Sequence, residues 1–245
     1  MSGETGATKK WTEIGRSTTT PTDNEIRKEV KIDDYYVVVG FEVNSPTAFE
    51  NGIQDLAIDY GHAFFYEVKN GIVSTVFSFG PSEAGKVGWV GLGNSDTPNK
   101  YNTAAVLKDG FKNARPGTPD YAVTEEVKAF KLRLTVEQGI ALGKETDVTR
   151  QRIVTGKQKY TAYMNDTCAE TARDVLAAAG ISTPNGSGGV KHSGVINVPI
   201  AYAVNPYMWH RNFLKEGHVE ITGQLPVRNP AMLLGRRDPL FSQPP

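Results

Sequence analysis

The 245-residue chain has only one cysteine, Cys168, and no long apolar run. An internal disulfide is therefore excluded, and the cysteine count does not indicate an oxidising or a reducing compartment. A membrane-spanning helix needs roughly 20 apolar residues, so we predict no transmembrane segment. The first 20 residues lack the apolar core of a secretory signal. We therefore expect a protein that is made in the cytoplasm without a signal peptide, so that any export would need a specialised secretion system.

The chain also lacks an excess of charge, because 27 lysines and arginines balance 27 aspartates and glutamates. A neutral chain has no general electrostatic affinity for nucleic acid, so we predict no nucleic-acid partner. HExxH and CxxC motifs are absent, and His192, His210 and His218 have no partner at metal-ligand spacing. No dinucleotide fingerprint or phosphate-binding loop is complete. We therefore predict neither a metal nor a cofactor.

The stretch Tyr163–Gly180 predicts a helix that begins at the cysteine. Residues 165–167 are all preferred N-caps, and Thr167 with Glu170 matches the capping box. The apolar residues that follow have helical spacing; they are Cys168, Ala172, Val175, Leu176 and Ala179. The final glycine of the stretch indicates the end of the helix. The thiol of Cys168 would then lie at the positive end of the helix dipole, which favours the thiolate.

A lone cysteine is more often a small buried hydrophobic residue than a nucleophile, so this hypothesis needs a base. Of the four histidines, His62 is the best candidate, because it lies in Asp59–Val68, a stretch typical of a strand. Residues 69–71 and a second strand, Ile72–Phe79, complete a hairpin. Gly61 removes side-chain bulk beside the histidine, as a site that admits a substrate would require.

The register of this hairpin decides which side chain faces His62. A three-residue turn at Lys69-Asn70-Gly71 sets Ser78 opposite His62. A two-residue Asn70-Gly71 turn shifts the register by one residue and sets Phe79 there instead.

The motifs YGHAFFYEV and YMNDTCAETARDVLAAAGI resemble those of the circularly permuted papain-like hydrolases. This group includes the permuted NlpC-type peptidases and the lecithin retinol acyltransferase group. In this branch the histidine precedes the cysteine, as His62 precedes Cys168 here. The resemblance covers about residues 36–181. It implies an α+β fold of the permuted papain-like type, in which a central antiparallel sheet packs against a helix that carries an N-terminal cysteine.

The resemblance implies acyl transfer with three catalytic residues. Cys168 would attack a carbonyl, and His62 would take the thiol proton and later deliver it to the leaving group. Because the family usually has a polar residue on the neighbouring strand, we prefer the register that makes Ser78 the residue orienting His62. The backbone N–H of Cys168 is the expected oxyanion donor.

The leading expectation for function is a cysteine hydrolase that cleaves amide bonds in peptidoglycan peptides. Family members without a signal peptide include antibacterial effectors delivered by contact-dependent systems such as type VI secretion, which act in the target cell's periplasm and have cognate immunity proteins. A lipid acyl-ester hydrolase or acyltransferase is the alternative enzyme, although no amphipathic anchoring helix favours it. A non-catalytic binding module, in which Cys168 and His62 are only core residues, is the third alternative.

We expect residues 31–245 to form one catalytic domain, preceded by a loosely ordered leader over residues 1–30. From about residue 190 the domain continues as an irregular extension. Residues 80–120, rich in proline and glycine, are predicted to be a substrate-facing loop.

Several further elements are predicted from local patterns. They are a central strand at Asp34–Val43, a strand at Tyr121–Leu134, a helix from the capping box at Thr135 towards Gly156, a flexible linker at Ser182–Gly189, and strands at Val195–Val204 and His218–Thr222.

Overall fold

A computed structural model describes residues 34–79, 127–155, 157–158, 160, 166–194, 196–221 and 235–238. The chain divides into two compact units, Met1–Asp34 and Tyr35–Pro245, and the description below concerns the second. The expectations for the leader, for residues 80–120 and for the cap residue Asn165 lie outside the described residues.

Within the described residues the fold is α+β, with two four-stranded sheets and three helices. The strands are β1 (Tyr35–Glu42), β2 (Phe49–Glu50), β3 (Ile53–Asp55), β4 (His62–Lys69), β5 (Ile72–Ser78), β6 (Lys128–Leu134), β7 (Ser187–His192) and β8 (Ile196–Val204). The helices are α1 (Val136–Val154), α2 (Cys168–Ala178) and α3 (Pro206–Lys215). The first sheet is antiparallel in the order β5-β4-β1-β6, and the second has the order β2-β3-β7-β8 with a parallel β3–β7 pair. No helix in the described part of the chain is long and apolar enough to cross a membrane.

Strand β1 lies inside the first sheet and is buried along its whole length. Its sequence, YYVVVGFE, has too little polar alternation for a strand with one wet face. Val37 and Phe41 belong to the core shared with the helices, whereas Tyr36 and Val38 belong to a second core on the opposite face. The prediction of a central strand is confirmed.

The larger core covers one face of the first sheet, which we call the helix-side face. Apolar residues of β1, β4 and β5 meet helix α2 there; they include Val39, Phe41, Ala63, Phe65, Phe77, Ala169, Ala172, Val175 and Leu176. The predicted apolar stripe of α2 is therefore buried against the sheet. Helix α3 adds Trp209 and Phe213, whose rings pack around Phe41.

Helix α1 begins where the sequence predicts. The side chain of Thr135 accepts the N–H of Gln138, and the Gln138 side chain accepts the N–H of Thr135, which completes the capping box. Gly139 does not interrupt the helix. A Cβ atom there would lie 2.1 Å from the ring of Tyr35, so the glycine allows α1 to approach β1 closely.

The second sheet is where the sequence predictions are least accurate. The predicted strand at Val195–Val204 is confirmed as β8, but the linker predicted at Ser182–Gly189 is wrong in its second half, because Ser187 begins β7. Its glycines are packed: a Cβ atom at Gly186 would lie 2.8 Å from Trp209. Within the described residues, the strand predicted at His218–Thr222 is present only as an isolated bridge between Glu220 and Phe130.

Helix α3 lies in a region that the sequence analysis treats as irregular. Asn205 caps this helix, because its side chain accepts the N–H of Met208, and Pro206 occupies the first turn. Asn followed by Pro is a known start signal, since proline has no N–H to lose at the first helical position. The proline content of the region obscured this signal.

Candidate active site

Cys168 is the first residue of α2 and is 3% exposed. Thr167 caps the helix by accepting the N–H of Glu170 at 3.1 Å, which is the Thr167 half of the predicted capping box. The same hydroxyl donates to the carbonyl of Val204 at 3.1 Å, which ties the start of α2 to β8. The thiol therefore lies at the positive end of a well-anchored helix, where the dipole favours the thiolate.

The carboxyl groups next to this helix start are shifted towards their neutral form. Burial raises the pKa of Asp166, although Gln158, which donates to it at 2.5 Å, partly opposes the shift. Burial, and then the nearby Asp174, raises the pKa of Glu170. Both carboxyl groups therefore lose a proton less readily than they would in water.

Cys168 lines a small cavity between the second sheet and the starts of α2 and α3. The cavity measures about 10 Å³, roughly the space that one water molecule needs. Its lining comes from β3 and the turn after it, from β7 and β8, and from the start of α3; the polar or aromatic members are Gln54, Tyr60, Tyr160, Thr167 and Asn205.

The predicted hairpin that carries His62 is present, but its turn has two residues rather than three. Asn70 and Gly71 have φ values of +51° and +80°, and Lys69 pairs with Ile72. The preferred three-residue turn is therefore wrong, because Asn-Gly readily adopts the two left-handed conformations of the tighter turn.

A β-bulge in the hairpin then restores Ser78 to the face of the sheet on which His62 lies. Val68 pairs with Val73 but Glu67 pairs with Thr75, so Ser74 is an additional residue in β5. Ser78 consequently pairs with Phe64 and lies diagonally across from His62, on the same face of the sheet.

The structure brings Ser78 and His62 into direct contact. The Oγ atom of Ser78 lies 2.7 Å from Nε2 of His62. The imidazole is 2% exposed and the serine is fully buried. The ring of His62 also stacks near that of Phe64, with centroids 6.2 Å apart. Two contacts therefore hold the imidazole in a defined orientation.

Glu42 is a third polar residue at this position that the sequence analysis missed. It is the direct cross-strand partner of His62 in the β1–β4 register and is 2% exposed. Directly opposed side chains have Cβ atoms about 5 Å apart. The sequence signal for Glu42 is that it is the single carboxylate in the otherwise apolar sequence of β1.

The space expected beside His62 is filled. Gly61 has a φ of +58°, and a Cβ atom on it would lie 3.1 Å from Tyr207 and 3.3 Å from Pro206. The glycine is therefore explained by its backbone conformation and by the packing of α3 against this strand start.

The cavity of Cys168 and the His62–Ser78 pair lie at the same end of the first sheet. Pro206 lines the cavity and packs on Gly61, the residue before His62. Tyr160 lines the cavity and packs edge-on against Phe79, the residue after Ser78, with ring centroids 5.3 Å apart. Cys168, however, belongs to the helix-side core. Strand alternation places His62 and Ser78 on the opposite face of the first sheet.

In the described part of the chain, His192, His210 and His218 are not among the residues that line the cavity of Cys168. His210, on α3, is paired with Glu220; burial lowers the pKa of this imidazole and the glutamate opposes the shift. The Nδ1 atom of His192 lies 3.2 Å from the carbonyl of Ser193. Among the described residues, no group of three histidine, cysteine, aspartate or glutamate side chains could hold a metal ion.

Comparisons of the chain with protein-family models, with curated proteins and with solved structures found no match.

Proposed function

We propose that this protein is a thiol-dependent hydrolase of the permuted papain-like type, with Cys168 as nucleophile, His62 as base and Ser78 as the residue that orients His62. One observation carries the proposal. A capped helix begins with the chain's single cysteine at the same end of the sheet as a buried histidine held by a serine at 2.7 Å. A cysteine hydrolase needs these three elements, a thiolate, a base and a group that fixes the base.

The reaction is acyl transfer in two steps. His62 takes the proton of the thiol, the sulfur of Cys168 attacks the substrate carbonyl, and a C–S bond forms. The C–N bond then breaks as His62 protonates the leaving amine. Water next attacks the thioester, which releases the acid and restores the thiol. Backbone N–H groups in the first turn of α2 stabilise the oxyanion.

The proton must pass around the end of strand β4. His62 is the first residue of that strand and its side chain follows the face opposite to Cys168. The proposal therefore requires that the proton pass directly around the strand end or through one bridging water, because a general base must lie within that reach of the proton it takes.

The substrate class follows from the resemblance of the two motifs. We propose amide bonds of peptidoglycan peptides as the target, with the protein acting as an antibacterial effector in another cell's periplasm and with a cognate immunity protein as its partner. Digestion of purified peptidoglycan, followed by mass spectrometry of the released peptides, tests this part of the proposal.

The catalytic assignment is tested by alkylating Cys168 with iodoacetamide across a range of pH. The single cysteine makes the site of labelling unambiguous by intact mass. We expect the native protein to react at neutral pH at least about tenfold faster than glutathione, because an activated thiol has a pKa below the usual value near 8.5.

Variants of His62 and Ser78 show how much each residue contributes to the reactivity of Cys168. His62→Ala should remove most of the enhancement, and Ser78→Ala should remove less, because a serine orients the ring but cannot accept the proton in its place. His192→Ala, which changes a histidine in β7, is the matched control and should leave the rate unchanged. A native rate equal to that of glutathione, or an unchanged rate in His62→Ala, would overturn the assignment.

A further inference from the structure

The side chain of Gln54 presents an unused acceptor at the cavity of Cys168. It is fully buried, and its Nε2 atom donates to the carbonyls of Asp59 at 3.1 Å and Tyr60 at 2.6 Å. These two bonds fix the orientation of the amide, because only the nitrogen can donate to carbonyl oxygens. Among the residues that the structure describes, the Oε1 atom has no hydrogen-bond partner.

Asn205 presents the complementary group, an unused donor, at the same cavity. Its Oδ1 atom accepts the N–H of Met208 at 2.8 Å, so the other amide atom is the nitrogen. Asn205 is 3% exposed, and its Nδ2 atom has no hydrogen-bond partner in the described part of the chain. A Cβ atom at Gly188 would lie 2.9 Å from this nitrogen, so the glycine leaves room for it.

Both residues line the same cavity as Cys168. A buried polar atom without a partner is costly, and two of them at one cavity require an explanation. One acceptor and one donor complement the C=O and N–H of a substrate amide.

We propose that Gln54 and Asn205 form an amide-binding subsite, in which Gln54 Oε1 accepts the substrate N–H and Asn205 Nδ2 donates to a substrate carbonyl. An acyl ester offers the carbonyl but no N–H, and would leave the Gln54 acceptor unpaired. The subsite therefore selects amides over esters. This inference deepens the proposed function and rests on it.

Entry of an amide group requires movement at the edge of the cavity, because the cavity has space for about one water. Tyr60 and Tyr160, the half-buried aromatic side chains of its lining, are the groups whose rotation would admit a ligand.

The test compares three alkylating probes on the native protein. Iodoacetamide has both an N–H and a carbonyl, whereas N,N-dimethyl-iodoacetamide and methyl iodoacetate have a carbonyl but no N–H. Each forms the same S–CH₂ bond with loss of iodide, and the rate with glutathione corrects for intrinsic reactivity. We expect the corrected rate for iodoacetamide to exceed that of the other two by about tenfold, the value of one hydrogen bond to a buried acceptor.

Two variants separate the roles of the two side chains. Gln54→Met should abolish the preference for iodoacetamide. Asn205→Ser keeps a capping hydroxyl for α3 but shortens the donor, so it should slow all three probes equally and leave the preference intact. Thermal unfolding of each variant shows whether it is folded.

The outcomes distinguish the two proposals. If Cys168 is activated but the corrected rates are equal, the two amides hold only a buried water or a structural contact, and the subsite is overturned while the proposed function stands. If Gln54→Met does not fold, the probe series on the native protein and on Asn205→Ser still decides. If Cys168 reacts with none of the probes faster than glutathione does, the proposed function is overturned, and the subsite that rests on it is overturned as well.

Discussion

Glu67 is a buried carboxyl group that contacts the bulge in the hairpin. It is 3% exposed, and Ser74, the additional residue of the bulge, donates to its Oε2 atom at 3.0 Å. Burial raises the pKa of Glu67, although hydrogen bonds from Thr75 and Ser74 and the charge of Lys69 partly oppose the shift. This residue therefore helps to fix the register that brings Ser78 to His62. Its protonation is more favourable in the folded protein than in the unfolded chain.

The raised pKa of Glu67 predicts that Glu67→Gln increases the stability of the protein by an amount that depends on pH. A carboxyl group whose pKa is higher in the folded state stabilises the protein below its unfolded pKa, and this contribution is lost as pH rises through the folded pKa. Glutamine keeps an acceptor for Ser74 without the charge. We expect Glu67→Gln to be more stable than the native protein at pH 7, with the difference shrinking towards pH 4, as measured by urea unfolding.

Glu137 provides the control with the opposite sign. Its pKa is lowered by a hydrogen bond from its own backbone N–H and by Thr135. The native carboxylate then stabilises the fold above the unfolded pKa, and this contribution is lost as pH falls through the folded pKa. Glu137→Gln should therefore lose stability at pH 7 and lose less at pH 4. A Glu67→Gln difference that does not vary with pH would contradict the account of Glu67.

At the level of the elements, the start of α2 combines a structural and a chemical role. Thr167→Ala removes the cap of α2 and its bond to Val204, and should cost at least about 1 kcal/mol of unfolding free energy. It should also slow alkylation of Cys168 severalfold, because the helix start that favours the thiolate becomes less ordered. Urea unfolding and the iodoacetamide rate measure the two effects.

Thr135→Ala is the matched control, since Thr135 caps α1 in the same way but away from the cavity. It should cost about 1 kcal/mol and leave the alkylation rate unchanged. Thr167→Ser, which keeps the hydroxyl, should retain most of the unfolding free energy and most of the alkylation rate. Equal slowing of alkylation by Thr135→Ala and Thr167→Ala would mean that general loosening, rather than the start of α2, controls the thiol.

The elements that could be predicted from sequence are those with signals inside one short segment. The cap and stripe of α2, the buried run of β1 and the capping box of α1 each lie within a few turns or one strand. The bulge at Ser74 could not be predicted from the sequence, because it depends on a contact between Ser74 in β5 and the buried carboxyl group of Glu67 in β4. For the same reason Ser78 was identified from a register that is wrong.

The second sheet and the cavity depend on contacts between distant segments. Strand β7 pairs in parallel with β3. Gly186 before this strand and Gly188 within it are typical of a linker until the packing of Trp209 and Asn205 against them is known. Gln54 and Asn205 have no local pattern that marks them as neighbours of Cys168. The candidate site was therefore predicted as separate residues, and its amide groups were not predicted.

At the scale of the whole molecule, the helix-side core joins the first sheet, all three described helices and Val204 of the second sheet. Trp209 lies within it, fully buried, with its ring 5.3 Å from that of Phe41 and 5.9 Å from that of Phe213. The helix that carries Trp209 also begins with Pro206 at the cavity of Cys168. Because one core supports both the sheet and the cavity, loss of the core and exposure of the thiol should occur together.

This shared core predicts that far-UV circular dichroism and Cys168 alkylation report the same unfolding transition in urea. Coincident midpoints are the signature of a two-state transition. Trp209→Ala should lower the unfolding free energy by about 3 to 5 kcal/mol, because it leaves a large cavity in the core, and should move both midpoints equally. Leu214→Ala, on the same helix but 46% exposed, is the control and should change stability by less than about 0.5 kcal/mol. If the thiol becomes reactive at a lower urea concentration than that at which secondary structure is lost, then the cavity opens independently of the core, and the site and the core do not unfold as one unit.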